Sequence, residues 1–163
     1  MHSIISRVTA EVYDKCGFII SDYKSEPESK EYDACQFKLN GQIIISRTAK
    51  ITPKKIGQFV TFWKRNKKGI IAPFSERDNF DFYVINVEKE DTLGQFVFPK
   101  SILIDKGVVA TRKKDGKRGF RVYPSWDTVN NEQATKAQKW QLDYFFEIGV
   151  TTDLRLVEKL YNQ

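Results

Sequence analysis

Residues 34–48 read ACQFKLNGQIIISRT: two apolar, β-branched-rich runs flank Asn40-Gly41. Asn-Gly tolerates the positive φ angles of a two-residue hairpin turn better than almost any other pair, so this stretch predicts an antiparallel hairpin and places a sheet at the centre of the fold. Working outward, FDFYVINVE (80–88) and GQFVFPK (94–100) carry the same aromatic and β-branched character on either side of a turn at Asp91 to Gly94. They predict two further strands of that sheet.

The remaining segments suggest what covers it. Ile5, Val8, Val12 and Cys16 recur near a 3.6-residue period ahead of Gly17, predicting a helix from Ser3 to Cys16. SEPESKEYD (25–33) is polar and proline-bearing, as a loop or lid would be. Thr52-Pro53 offers a cap hydroxyl followed by a first-turn proline, and Ile56, Phe59, Val60 and Trp63 then fall at i, i+3, i+4 and i+7. This predicts a helix to about Arg65, with Lys54, Gln58, Thr61 and Arg65 as a basic, hydrogen-bonding ridge on its open side and its N-terminus as a place for phosphate.

Downstream, the pattern predicts a helical turn at Ser101 to Asp105 and a strand at Val108 to Ala110. The basic loop RKKDGKRG, turning at Asp115-Gly116, then reads as a hairpin tip before FRVYPSW. Asn130 and Gln133 form a capping box for a helix expected to run to Gly149, burying Ala134, Ala137, Phe145 and Ile148. A last helix from Asp153 to Tyr161 would pack Leu154, Val157 and Leu160. The order of helix, strands, helix, strands and helices predicts an α/β protein with a mixed central β-sheet flanked by helices.

At 163 residues, 40% hydrophobic and 29% charged, the chain suffices for one core, and residues 1–163 are expected to form a single domain. Mean hydropathy is -0.49. No apolar run approaches the roughly 18 residues of a membrane span, and the N-terminus lacks the apolar stretch of a secretory signal, so a cytoplasmic location without membrane contact is expected. Cys16 and Cys35 stand in no Cys/His cluster, and His2 is the single histidine. Disulfide scaffolds, structural zinc sites, serine triads and most zinc hydrolases are thereby disfavoured, and any catalysis would rest on carboxylates, Lys, Tyr or a hard metal ion.

Charge is unevenly distributed. Residues 47–69 hold Arg47, Lys50, Lys54, Lys55, Lys64, Arg65, Lys67 and Lys68 and no acid; residues 112–121 hold Arg112, Lys113, Lys114, Lys117, Arg118 and Arg121 against Asp115. These blocks carry +8 and +5 of a net +6, so the rest of the chain is acidic. Such concentration suits a polyanion, with nucleic acid, DNA or RNA, as the expected partner and these side chains as phosphate contacts. Tyr123 and Trp126 are the aromatics expected to be partly exposed and able to stack on unpaired bases. No P-loop, Rossmann glycine pattern, zinc finger or RNP motif is present, which disfavours nucleotide hydrolysis and sequence-specific readout by those routes.

The blocks SRTAKITPKKIGQFVTFWKR, PFSERDNFDFYVINV, GQFVFPKSIL, GKRGFRVYPSWD and QATKAQKWQLDYF resemble, in order, those of the MepB family across residues 31 to 147. The resemblance implies a restriction-endonuclease-like α/β architecture. The family's association with a bacterial multidrug-efflux gene cluster further implies a cytoplasmic accessory protein. A working nuclease of that architecture needs an Asp at one strand end and an acid-x-Lys on the next strand, to hold a divalent ion and activate water. The second hairpin strand instead reads Ile45-Ser46-Arg47-Thr48-Ala49-Lys50. The nearest substitute is Asp78 and Asp81 as ligands of Mg, with Gln95 as a weaker oxygen donor and Lys100 as the catalytic lysine; without such a nuclease no cofactor is expected. Three functions follow: a largely non-specific, non-catalytic nucleic-acid-binding protein, expected first; a metal-dependent phosphodiester hydrolase using Asp78, Asp81 and Lys100; or an adaptor for an acidic protein or anionic small molecule.

Overall fold

In the computed structural model, which describes residues 1–163, Asn40 and Gly41 take φ angles of 51° and 81°, the left-handed values the hairpin turn requires. The chain runs through α1 (Ser3–Val8), β1 (Ile20–Ser25), β2 (Cys35–Leu39), β3 (Gln42–Thr48), β4 (Lys50–Ile51), β5 (Gln58–Thr61), β6 (Trp63–Arg65) and β7 (Ile71–Pro73). It continues through β8 (Phe82–Lys89), β9 (Thr92–Pro99), α2 (Lys100–Asp105), β10 (Gly119–Val122), α3 (Glu132–Gln141), β11 (Phe145–Ile148) and α4 (Leu154–Tyr161). The central sheet has the order β1-β2-β3-β8-β9-β11, with β3 and β8 parallel and every other pair antiparallel. A smaller sheet, β10-β5-β4, and the hairpin β6-β7 come mostly from the crossover between β3 and β8.

Both faces of the central sheet are covered, which explains why FYVINV, apolar except for Asn86, lacks a clean alternation. Phe82 and Val84 face one layer, where α1, a following π-helical turn (Thr9–Tyr13) and α4 supply Ile5, Val8, Val12, Val157 and Leu160. Tyr83, Ile85 and Val87 face the other, where Val60, Phe62, Leu103 and Val122 pack. Burial of such side chains is worth about 1.5–3 kcal/mol each. A polar thread crosses the first layer: Tyr161 donates to Gln95 Oε1 at 2.6 Å, the Tyr13 and Tyr161 hydroxyls lie 2.7 Å apart, and Gln95 Nε2 donates to Asn86 Oδ1 at 2.8 Å.

Residues 53–65 form no helix. Pro53 to Gly57 are bends, and β5 and β6 follow. Gln58, Val60 and Phe62 are buried while Phe59, Thr61 and Trp63 are half-buried, a period of two that tertiary pairing with β10 selects over the coincident helical spacing. The helix dipole and helical ridge expected at Lys54 are therefore absent. Gln58, expected on that ridge, is buried and donates to the Glu88 carbonyl at 3.1 Å.

Three other expectations need correction. The helix expected to reach Gly149 stops at Gln141; after a 3-10 turn, Phe145 and Phe146 pair with Phe96 and Gln95 as an edge strand. Its cap is Asn131, whose Oδ1 accepts from Ala134 N at 2.8 Å, one residue past the expected box. Val108 to Ala110 is not a strand, because Ala110 only bridges Ser75, and RKKDGKRG links no paired strands since β10 pairs with β5. β1 went unanticipated: its SDYKS sequence is polar, it lies on the sheet edge, and it is bulged between Ser21 and Lys24 with Asp22 at φ 52°.

Candidate functional site

A cleft of about 660 Å³ lies between the 54–56 loop, β10 and α3. Lys54, Lys55, Lys106, Lys117 and Arg121 line it, and no acid does. Phe120, Tyr123 and Trp140 contribute aromatic surface, and Asn130, Asn131 and Gln133 contribute amides beside the start of α3. The lysines are exposed while Phe120, Tyr123 and Trp140 are half-buried, so charge stands at the rim over an aromatic wall.

Hydrogen bonds fix the walls. Arg121 Nε donates to Ile56 O at 3.1 Å, and its Nη2 donates to Thr52 Oγ1 at 2.7 Å and to Gly57 O at 3.0 Å. One guanidinium thus gathers the loop that carries Lys54 and Lys55. Gly57, at φ 85°, is required there: a Cβ would meet Tyr123 Cδ1 at 2.6 Å and Val122 O at 2.9 Å. Buried Gln141 straps α3 to β10, accepting from Tyr123 N at 2.9 Å and donating to Arg121 O at 3.0 Å. Gln138 Nε2 donates to Pro124 O and to Asp127 O, each at 3.0 Å.

A second cavity of about 370 Å³ shares Lys55 and Ile56 with the first. Ile51, Gly57, Trp126 and Thr128 complete its lining with Lys89 and Asp127. Burial raises the pKa of Asp127, with Lys89 and Arg121 acting in the opposite sense. Trp126 packs edge-on against Phe145 at 5.8 Å between ring centroids, and its indole N–H is buried without a partner.

Of the residues expected to bind nucleic acid, Lys54, Lys55, Lys117, Arg121 and Tyr123 come together in the larger cleft, and Trp126 in the smaller. Arg47 does not belong on an exposed basic surface: it is 5% exposed and donates to Thr61 Oγ1 at 3.0 Å and Trp63 O at 3.1 Å, tying β3 to β5 and β6. Lys64 is paired with Asp78 at 2.5 Å and Arg65 with Glu28 at 2.7 Å, so both charges are already partly neutralised. Lys50 lies over the Tyr32 ring at 5.3 Å. Lys67 and Lys68 are exposed in the turn between β6 and β7; Arg112, Lys113, Lys114 and Arg118 are exposed on the loop before β10, with Arg118 3.8 Å from Asp115.

Asp78, Asp81 and Lys100 are neighbours held by structural bonds. Asp78 Oδ2 accepts from Ser75 N at 2.7 Å, Asp81 Oδ2 accepts from Ile43 N at 2.7 Å, and the Lys100 ammonium donates to the Asp78 carbonyl. No three His, Cys, Asp or Glu side chains converge anywhere as a set able to hold a metal ion. One of these carboxylates is paired with Lys64 and the other accepts from a backbone N–H. Gln95, the weaker donor considered with them, is fully buried in the tyrosine thread.

Sequence reasoning missed Lys106, Lys89, Trp140 and Asp127. Lys106 and Lys89 lie outside the basic blocks, and Lys106 overlies the Trp140 ring at 5.6 Å. Folding alone brings Lys106 and Trp140 to the larger cleft and Lys89 and Asp127 to the smaller cavity. No helix is long and apolar enough to cross a membrane.

Fold and cleft together define a mixed α/β protein with a cation-lined groove over aromatic side chains. The chain belongs to the MepB-like family, whose model matches residues 26–147. A crystal structure of MepB superposes with a TM-score of 0.78 at 33% identity, covering 90% of this chain and 97% of that one. The bacterial homing endonuclease I-Ssp6803I gives a TM-score of 0.44 at 16% identity, over 85% of this chain and 84% of that one. No curated protein matches the chain.

Proposed function

We propose that this protein binds nucleic acid through the cleft between the 54–56 loop, β10 and α3, largely without regard to sequence and without cleaving it. The observation that carries this reading is the cleft's composition: five cations and no acid, with Phe120, Tyr123 and Trp140 among them. Lysines at the rim neutralise successive phosphates and release their counterions, while aromatic faces accept bases whatever their identity. Strands with unpaired bases suit such a groove better than a duplex, whose bases are already stacked. Asp78, Asp81 and Lys100 serve in this reading to close a corner of the fold, not to hydrolyse a phosphodiester.

The test is fluorescence anisotropy with labelled single- and double-stranded DNA and RNA across a salt series, for the wild type and a Lys54→Glu/Lys55→Glu/Lys117→Glu variant of verified fold. Salt-sensitive binding that the variant loses is the expected outcome, with strands recovered intact when magnesium is added. Absence of binding at low salt overturns the proposal. Magnesium-dependent fragments that Asp81→Ala abolishes overturn its non-catalytic part.

A further inference from the structure

The carboxyl group of Asp127 is the single acid lining either cavity; it shares the smaller one with Lys55 and Lys89, beside a larger cleft lined by Lys54, Lys106, Lys117 and Arg121. In a groove for phosphates a carboxylate is out of place, since it repels the chain that the lysines attract. It is also nearly enclosed, at 12% side-chain exposure, and Lys89 Nζ stands 3.9 Å away, beyond hydrogen-bond reach. The hydrogen bonds of Asp127 are all made by its backbone: its N–H donates to Pro124 O at 3.0 Å and its carbonyl accepts from Gln138 Nε2 at 3.0 Å. Neither carboxylate oxygen accepts a hydrogen bond from the protein, so both acceptor positions are left for a ligand in the cavity to fill.

The rest of the cavity restricts what that ligand can be. Lys55 and Lys89 flank it, so a cationic ligand is disfavoured; the donor must be neutral N–H groups on a molecule that the lysines still attract. Ile51, Ile56 and the Trp126 ring provide apolar surface for a flat group, and the cavity adjoins the larger cleft, with which it shares Lys55 and Ile56 as lining. A nucleobase on a strand lying in that cleft meets each condition. Among the bases only guanine offers two adjacent N–H donors, N1–H and the N2 amine, to a single carboxylate. Adenine and cytosine would set a ring-nitrogen acceptor against it, and uracil or thymine a carbonyl on either side of one N–H. Guanine O6, beside those donors, is an acceptor that a lysine ammonium satisfies.

Resting on the nucleic-acid reading above, we propose that the smaller cavity receives one unpaired guanine of a single strand, its Watson–Crick edge bonded to the two oxygens of Asp127. The binding is otherwise indifferent to sequence, so the result is a preference at one position along the strand.

The experiment is anisotropy with oligothymidylate of about 12 nucleotides, a length that covers the site sizes of single-strand grooves. It carries one central dG, deoxyinosine or dA in turn. Wild-type protein should bind the dG strand about tenfold more tightly than the dA strand, the order of discrimination a bidentate base contact gives. Deoxyinosine, which keeps N1–H and lacks the N2 amine, should fall between them, a comparison that needs no variant. Asp127→Asn, with its fold checked by thermal melting, should bring the dG and dA affinities together. Equal affinities for dG and dA strands in the wild type, with oligothymidylate still bound, overturn the guanine pocket and leave the nucleic-acid reading intact. A dG preference that survives Asp127→Asn unchanged overturns the role of Asp127. Failure to bind any strand overturns both proposals.

Discussion

Arg121 Nη2 donates to the carbonyl of Gly57 at 3.0 Å, and the same guanidinium holds Ile56 O and Thr52 Oγ1. A cation from the second basic block thus organises the loop that carries two lysines of the first. Its planar fork matters as much as its charge, because a lysine ammonium cannot reach three diverging acceptors. Arg121→Lys should therefore behave much like Arg121→Ala, each losing about 1–3 kcal/mol of stability through loop acceptors left unmet. Hydrogen exchange at residues 52–57 is the direct measure. Wild-type protection in Arg121→Lys would remove the case for the fork.

Gly57 and Gly41 permit a paired comparison. Both have positive φ, 85° and 81°, yet a Cβ at Gly41 meets nothing within 4 Å whereas one at Gly57 strikes the Tyr123 ring and Val122 O. Gly41→Ala should incur only the left-handed backbone cost of about 1–2 kcal/mol. Gly57→Ala should cost more and should also displace Tyr123 from the cleft wall. Urea melts of the two variants decide it; equal losses would mean that the loop yields freely.

The cations of the basic blocks should not weigh equally on nucleic-acid binding. Lys117 lines the cleft and forms no ion pair, whereas Lys64 is committed to Asp78 at 2.5 Å. Removing a cation that neutralises one phosphate lowers the slope of log affinity against log salt by about 0.7 for a single strand. Lys117→Ala should show that reduction and Lys64→Ala should not, despite lying in the longer of the two blocks. Slopes altered alike by both would return the site to a diffuse basic surface.

What was legible in the sequence, and what was not, follows the range of the forces involved. Asn40-Gly41 fixes its hairpin locally, and Asp153, whose Oδ1 accepts from Leu156 N at 3.1 Å, starts the last helix as its sequence suggests. The mixed sheet with helices on its faces was readable from element order. The segment 53–65 was not, because Ile56, Phe59, Val60 and Trp63 satisfy a helical period by coincidence while the pairing of Gln58–Thr61 with β10 depends on residues some 60 positions away. The two cavities divide in the same way: Lys54, Lys55 and Lys117 stood out as charge in the sequence, whereas Lys106 in the larger and Lys89 and Asp127 in the smaller acquire meaning only from their neighbours in space. Arg47 shows the converse, since a cation inside a basic block is consumed by the interior.

The tyrosine thread between the terminal elements and the sheet should be asymmetric. Tyr161 donates to Gln95 Oε1 at 2.6 Å and lies 2.7 Å from the Tyr13 hydroxyl, while Tyr13 lies 3.4 Å from Gln95 Nε2. Tyr161→Phe leaves a buried amide oxygen without its donor and should cost about 1–3 kcal/mol. Tyr13→Phe leaves that central bond intact and should cost less. Denaturant midpoints that rank the two variants in the opposite order would place the weight of the network on α1 and its π-helical extension.

Alkaline pH should destabilise the fold in a predictable window. Burial pushes the Cys35 thiol from an ordinary value of 9.0 up to about 11, and raises Tyr13, Tyr83 and Tyr161 as well. Below pH 9 the Cys35 thiol is neutral in folded and unfolded chains alike, so its contribution is unchanged there. Above pH 9 the unfolded chain ionises first and is favoured, and stability falls as pH rises toward 11, by at most about 1.4 kcal/mol per pH unit for each such group. Cys35→Ala should shallow the decline between pH 9 and 11 without removing it, because the buried tyrosines begin to act from their own ordinary value of 10.0. The same burial governs reactivity: Cys16 is half-buried and Cys35 fully buried, so a thiol reagent at pH 8 should modify Cys16 first in the native protein and both in denaturant. Native-state labelling of the two thiols at one rate would show that the sheet at β2 opens more readily than its packing implies.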